Sequence, residues 1–166
     1  IGDHNGEEKG KVWLGIIKFW LGNLHEAHML MTEGVSMATA IDPSHAIEHL
    51  GPLAMFYTLT ARFDKAYDVL EELRKSFDDE SFGMLRQRDR AQYLLAQGVY
   101  LLGVGEMPKA IDWLQKALLW SQKTKFMKMY EIQSCLYLAF PLASSQVEIA
   151  LEYAFRAIKL SEDYGF

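Results

Sequence analysis

Met107–Ser121 reads MPKAIDWLQKALLWS, and Met107, Ala110, Leu114 and Ala117 recur in it at intervals of three and four residues. That spacing gathers them on one face of an α-helix, because 3.6 residues complete a turn. Pro108 falls near the helix start, where its missing N–H costs little, and Gly103 and Gly105 flank a turn just upstream. A single amphipathic helix is marginal alone, so its apolar face needs a partner from elsewhere in the chain.

Three other segments align with it on one alanine: LHEAHMLMTEGVSMA, FDKAYDVLEELRKSF and VEIALEYAFRAIKLS. The anchors Ala27, Ala66, Ala110 and Ala150 are 39, 44 and 40 residues apart. Three residues before each stands an apolar side chain (Leu24, Phe63, Met107, Val147), and five before a small one (Gly22, Ala61, Gly105, Ser145). Four after come Met31, Leu70, Leu114 and Ala154; seven after come Gly34, Leu73, Ala117 and Ala157. Upstream lies a second helical pattern, and the residue twelve before the anchor is Gly15, Ala54, Gly98 or, less small, Leu138. Small residues there let two antiparallel helices approach closely. The register predicts four helical hairpins, about 7–41, 44–77, 87–124 and 127–163, with helices over 7–21, 24–41, 44–61, 63–77, 87–103, 107–124, 127–143 and 146–163. Asp42-Pro43-Ser44 punctuates the first junction, while Pro52 and Pro141 predict a kink or an early end inside helical patterns.

This arrangement resembles the tetratricopeptide repeat, with its W-x2-L-G-x2-Y, A-x3-F and closing proline. Matching residues are Leu14-Gly15, Leu53-Ala54 with Tyr57, and Gly98 with Leu101, then the anchors with Leu70, Leu73, Leu114, Ala117 and Ala157. The chain departs from that pattern in lacking the closing proline and in a period near 40. The longer period and the endings ALLWSQKTK and AIKLSEDYG are similar to the repeat arms of LuxR-type and related STAND ATPase transcription regulators. The resemblance implies an all-α, right-handed superhelical array in one repeat domain, 1–166, taken as a fragment of a larger protein. It further implies a non-catalytic protein-interaction module in signalling or transcription regulation, or alternatively an effector sensor for a small molecule or peptide.

Composition narrows the partners. With 17 Lys and Arg against 22 Asp and Glu, the formal charge is −5, which repels a phosphate backbone and argues against nucleic acid as a ligand. One cysteine, Cys135, excludes an intramolecular disulfide framework and suits a reducing, cytoplasmic setting. No apolar run approaches the ~20 residues of a membrane span, and IGDHNGEEKGK has no signal-peptide core.

By analogy with tetratricopeptide arrays, positions fifteen, eleven and eight before the anchor line a concave face. They read Val12, Ile16, Phe19; Gly51, Met55, Thr58; Leu95, Val99, Leu102; and Cys135, Ala139, Leu142. The set is nearly all apolar, which fits either packing against neighbouring helices or a groove for a helix or extended peptide. Almost no Lys, Arg or Asn stands there, so a clamp for a carboxylate tail is not expected. The last helical segment carries Val147, Ile149, Leu151, Tyr153, Phe155, Ile158 and Leu160 on more than one face, so its open end is expected to meet further repeats or to self-associate.

Residues 22 to 30, GNLHEAHML, put His25 and His28 three apart, one residue short of the H-E-x-x-H of a zinc helix. His45 and His49 follow one helix later. Register places His28 at a position half-covered by a neighbouring helix and His25 at an exposed one, so packing and surface roles are expected, with no metal and no cofactor. The cluster Arg86, Arg88 and Arg90 opens a first helix, where positive charge opposes the macrodipole, and reads as a solvated loop, with contact to a partner or phosphate as the alternative; GVGE at 103–106 reads as a turn. Trp13 with Trp20, and Trp113 with Trp120, are seven apart and read as core packing, with an aromatic binding surface as the second reading; Cys135 reads as a buried, inert thiol. No nucleophile elbow or marked carboxylate pair is present, so no enzyme activity is expected.

Overall fold

In a computed structural model, residues 4–78, 87–123 and 127–165 are described, and they form helices without a strand. The helices are α1 (His4–Trp20), α2 (Leu24–Ile41), α3 (Pro43–Leu59), α4 (Phe63–Asp78), α5 (Gln87–Gly103), α6 (Met107–Ser121), α7 (Lys128–Leu142) and α8 (Val147–Tyr164). The fold is all-α. The chain divides into two compact units, Ile1–Met84 with α1 to α4 and Leu85–Phe166 with α5 to α8. Within each unit consecutive helices pack together, and the second helix of the leading hairpin also packs on the first helix of the next.

The alanine register explains the packing. Ala27, Ala66 and Ala110 are fully buried, and Ala150 nearly so. Four and seven residues on, Met31, Leu70, Leu114, Leu73, Ala117 and Ala157 are buried with them. Each leucine so enclosed contributes about 1.5–3 kcal/mol of hydrophobic stabilisation. The small residue twelve before the anchor faces this set. A Cβ on Gly15 would meet Met31 Cγ at 2.5 Å and the Ala27 carbonyl oxygen at 3.1 Å, and one on Gly98 would meet the Leu114 side chain at 2.7 Å. On the same pair of helices Gly34 faces Val12 and the Glu8 carbonyl, so α1 and α2 run antiparallel.

The hairpin turns follow from the small residue five before the anchor. Gly22, Ala61 and Gly105 all have left-handed backbone, with φ of 81°, 58° and 83°. In each, that residue's N–H donates three residues back and the next N–H five back: Gly22 to Phe19 O and Asn23 to Lys18 O, both at 2.9 Å, are one instance. Ala61 to Thr58 O with Arg62 to Tyr57 O, and Gly105 to Leu102 O with Glu106 to Leu101 O, repeat it. These paired bonds satisfy carbonyls left open at a helix C-terminus. The fourth turn closes differently, with Gln146 N–H donating to Leu142 O at 2.8 Å.

Ala61 alone holds this left-handed position with a side chain, which costs roughly 1–2 kcal/mol against glycine. Ala61→Gly is therefore expected to stabilise the protein by up to about 1 kcal/mol, part of the relief being offset by the freer unfolded chain. Urea unfolding of the two proteins checks it, and a lower midpoint for the glycine variant would refute the strain.

At the α2–α3 junction Asp42 accepts a hydrogen bond from the Ser44 N–H at 2.8 Å, and Pro43 occupies the first turn of α3. That bond holds the Asp42 carboxyl below its ordinary pKa. The two prolines inside helices behave differently. Helix α3 continues through Pro52 to Leu59, whereas α7 stops one residue after Pro141.

Candidate functional site

The residues expected to line a concave face divide into two groups. Val12, Thr58, Leu95 and Val99 are buried, as are Gly51, Cys135 and Leu142. Ile16, Phe19, Met55, Leu102 and Ala139 remain half-exposed. The buried group packs inside its own unit because the first helix of a hairpin is enclosed by more than one neighbour. In the second unit, for instance, α5 contacts both α6 and α7.

In the first unit the half-exposed side chains border an aromatic cluster. The Phe19 ring on α1 meets the Phe56 ring on α3 edge-on at 5.7 Å, and Trp20 meets Phe19 at 5.1 Å. His28 stacks on Phe56 at 6.0 Å, and its Nε2 shares a 3.1 Å hydrogen bond with the Tyr57 hydroxyl. Arg62 lies over Phe56 at 6.0 Å and Lys65 over Tyr57 at 5.7 Å. Such cation–ring contacts contribute about 0.5–1 kcal/mol each at exposed sites. Ile16, Phe19 and Met55 thus present half-exposed apolar side chains from α1 and α3, and Phe19 joins them to the aromatic cluster.

His28 belongs to this cluster. Burial, reinforced by the charges of Arg62, Lys65 and His25, holds its imidazole below the ordinary value of 6.5. The unfolded chain then binds a proton more readily than the folded one. Stability contributed near neutral pH is lost as pH falls through the unfolded value, and the loss ends below the folded pKa. His28→Gln is expected to flatten this part of the stability curve from about pH 6.5 downward, read as melting temperature against pH. An unchanged slope would remove His28 as its source.

His25 is exposed, His45 half-buried and His49 buried. Among the described residues, no group of three or more His, Cys, Asp or Glu side chains comes together in a way that could hold a metal ion. No described helix is long and apolar enough to cross a membrane.

The second unit buries a carboxylate in a charged tie between α7 and α8. Glu131 on α7 is buried, and both its oxygens are bonded: Oε2 by Lys128 Nζ and Oε1 by Arg156 of α8, each at 2.6 Å. Burial raises its pKa, but the hydrogen bonds from Lys128 and Arg156, with their charges, outweigh burial and hold the carboxyl below 4.5. Glu8 occupies the same register position, nineteen residues before its anchor, and is also fully buried. Neither of its oxygens has a hydrogen-bond partner. Six after the anchor, where the last hairpin has Arg156, the first has Glu33.

Cys135 is buried, and burial above all pushes its thiol up to about 11, which leaves it protonated and inert. No protein-family model matches this chain, and no curated protein matches it either.

One reading of the sequence needs correction. Trp13 and Trp20 were expected in the core; they are 52% and 70% exposed. Seven-residue spacing establishes that they share a side of α1, but that side is its outer one. Trp113 and Trp120 are half-buried, the former edge-on to Tyr93 at 5.7 Å and the latter between Arg90 at 4.7 Å and Lys123 at 4.2 Å. Arg88 and Arg90 are exposed in the first turn of α5, within the helix expected over 87–103, where Arg88 donates to Asp89 at 3.3 Å. Arg86 lies outside the described residues.

Proposed function

We propose that this chain is a tetratricopeptide-like array of helical hairpins serving as a non-catalytic protein-interaction module, with Ile16, Phe19 and Met55 as the centre of its groove. The observation that carries this reading is their position. They are half-exposed, apolar, drawn from two helices, and set beside the Phe19–Phe56 pair. Surfaces of this composition bind the apolar face of a helix or an extended peptide, and aromatic anchors dominate such contacts. The repeated register of anchor alanines and left-handed turns supports the tetratricopeptide-like assignment. The reading extends to a place within a larger signalling or transcription-regulatory protein of the cytoplasm, on the strength of the resemblance described above.

The test is affinity capture with the wild type and with Met55→Lys and Ile16→Glu, each checked for unchanged helicity by circular dichroism. Both sites are half-exposed, so the fold should survive. Proteins retained by the wild type and lost by both variants are the expected result. Retention of an identical set by all three would overturn this groove.

A further inference from the structure

The cations of the first unit are not all neutralised in the same way. On α1, Lys9 pairs with Glu48 at 2.9 Å, Lys11 with Glu33 at 2.7 Å and Lys18 with Glu26 at 3.0 Å. Arg62 and Lys65, at the entry to α4, have no carboxylate partner among the described residues; the first lies over the Phe56 ring and the second over the Tyr57 ring. Both are exposed. A ring face holds a cation in place, yet it leaves the N–H donors open to an oxygen acceptor.

Ala61, Arg62, Phe63, Asp64 and Lys65 line a depression in the surface. Asp64 shares it and pairs with neither cation. Two cations against one carboxylate leave the depression positive, and Arg62 and Lys65 add to burial in lowering the pKa of neighbouring His28. Phe56 links this charge to the groove. It lies under Arg62 and meets Phe19 edge-on at 5.7 Å, and Phe19 stands one helical turn from Ile16.

We propose that Arg62 and Lys65 receive a side-chain carboxylate of the groove's partner, which is therefore a peptide segment carrying Asp or Glu beside its apolar anchors. This rests on the groove reading and adds to it the partner's charge. Stacking on Phe56 and Tyr57 holds both cations before binding, so less rotamer freedom is lost when the acceptor arrives. The planar fork of Arg62 matches the two oxygens of one carboxylate, and Lys65 supplies a second point charge. The acceptor belongs to a side chain and not to a chain terminus, because the concave register positions that would clamp a terminus are nearly all apolar. A phosphate backbone fits less well, since the chain's net charge of −5 repels it.

Selection from a display library of short peptides tests this, the peptides being fused at their C-terminus so that no terminal carboxylate is offered. On the wild-type chain it should enrich Asp or Glu next to apolar residues. An enriched peptide, synthesised with a fluorescent label and its C-terminus amidated, should lose roughly tenfold or more in affinity against the double variant Arg62→Glu, Lys65→Glu. Circular dichroism should show wild-type helicity in that variant, both positions being exposed. Selection repeated on it should enrich Lys or Arg instead. Met55→Lys should also weaken the peptide, and since it adds a positive charge, that loss reports the apolar contact alone. Peptides lost to Met55→Lys that show no acidic preference and tolerate the double variant would overturn the proposal and leave the groove standing. Peptides lost to the double variant and indifferent to Met55→Lys would overturn the groove, and with it the joint partner. A labelled DNA duplex bound by the wild type and released by the double variant would overturn the proposal as well, by assigning the two cations to phosphate.

Discussion

Val99→Asp should unfold the second unit instead of merely blocking a groove. Val99 belongs to the apolar set that sequence register places on a concave face, yet it is 2% exposed in α5, next to Gly98, which abuts Leu114. An aspartate there would be almost wholly withdrawn from solvent. The cost of burying an unpaired carboxylate is large, and we expect a loss of at least about 4 kcal/mol. A domain of this size has roughly 5–15 kcal/mol in total, so the variant is at or past the edge of folding. Circular dichroism should lose roughly half of its helical signal, since four of the eight helices belong to Leu85–Phe166. A substitution at half-exposed Met55 should leave that signal intact. If Val99→Asp kept full helicity and lost under about 1 kcal/mol, α5 would present Val99 to solvent and the packing described here would be wrong.

That contrast marks how far the sequence can be read. Helix positions were legible because the alanine register marks where helices pack: at Ala27, Ala66 and Ala110 the side chain is fully enclosed. The turns were legible as small residues, but not as left-handed backbone, since alanine at 61 gives no local sign of a positive φ. Periodicity says which side chains share a face, not what lies against it. Trp13 and Trp20 share a face that α2 and α3 leave bare, while Val12 and Val99 sit at positions that neighbours enclose. Charge partners were invisible for the same reason. Glu8 and Glu131 are the same residue type at the same register position, and Lys128 and Arg156, one local and one 25 residues on, separate a satisfied carboxylate from an unsatisfied one.

Close approach of the helices makes the remaining large effect a matter of sign. Gly34 and Gly10 are both helical glycines of the first hairpin, and replacing either by alanine gains about 1 kcal/mol of helix propensity. At Gly10 a Cβ meets nothing within 4 Å, so Gly10→Ala should show that gain undiminished. At Gly34 the new carbon would stand 2.8 Å from the Glu8 carbonyl oxygen, 2.7 Å from Val12 Cγ2 and 3.2 Å from the Val12 nitrogen. Two of those atoms are main chain and cannot rotate away. The helices must part, and overpacking of this kind costs typically 1–3 kcal/mol, enlarged here by the loosening of buried Val12 and Met31 against their neighbours. We expect Gly34→Ala to lower stability by roughly 2 kcal/mol net. Urea unfolding with an unchanged m-value is the measurement, because only then does a shift in midpoint report stability alone. Equal stabilisation by the two substitutions would mean that α1 and α2 lie farther apart than the Gly34 contact requires.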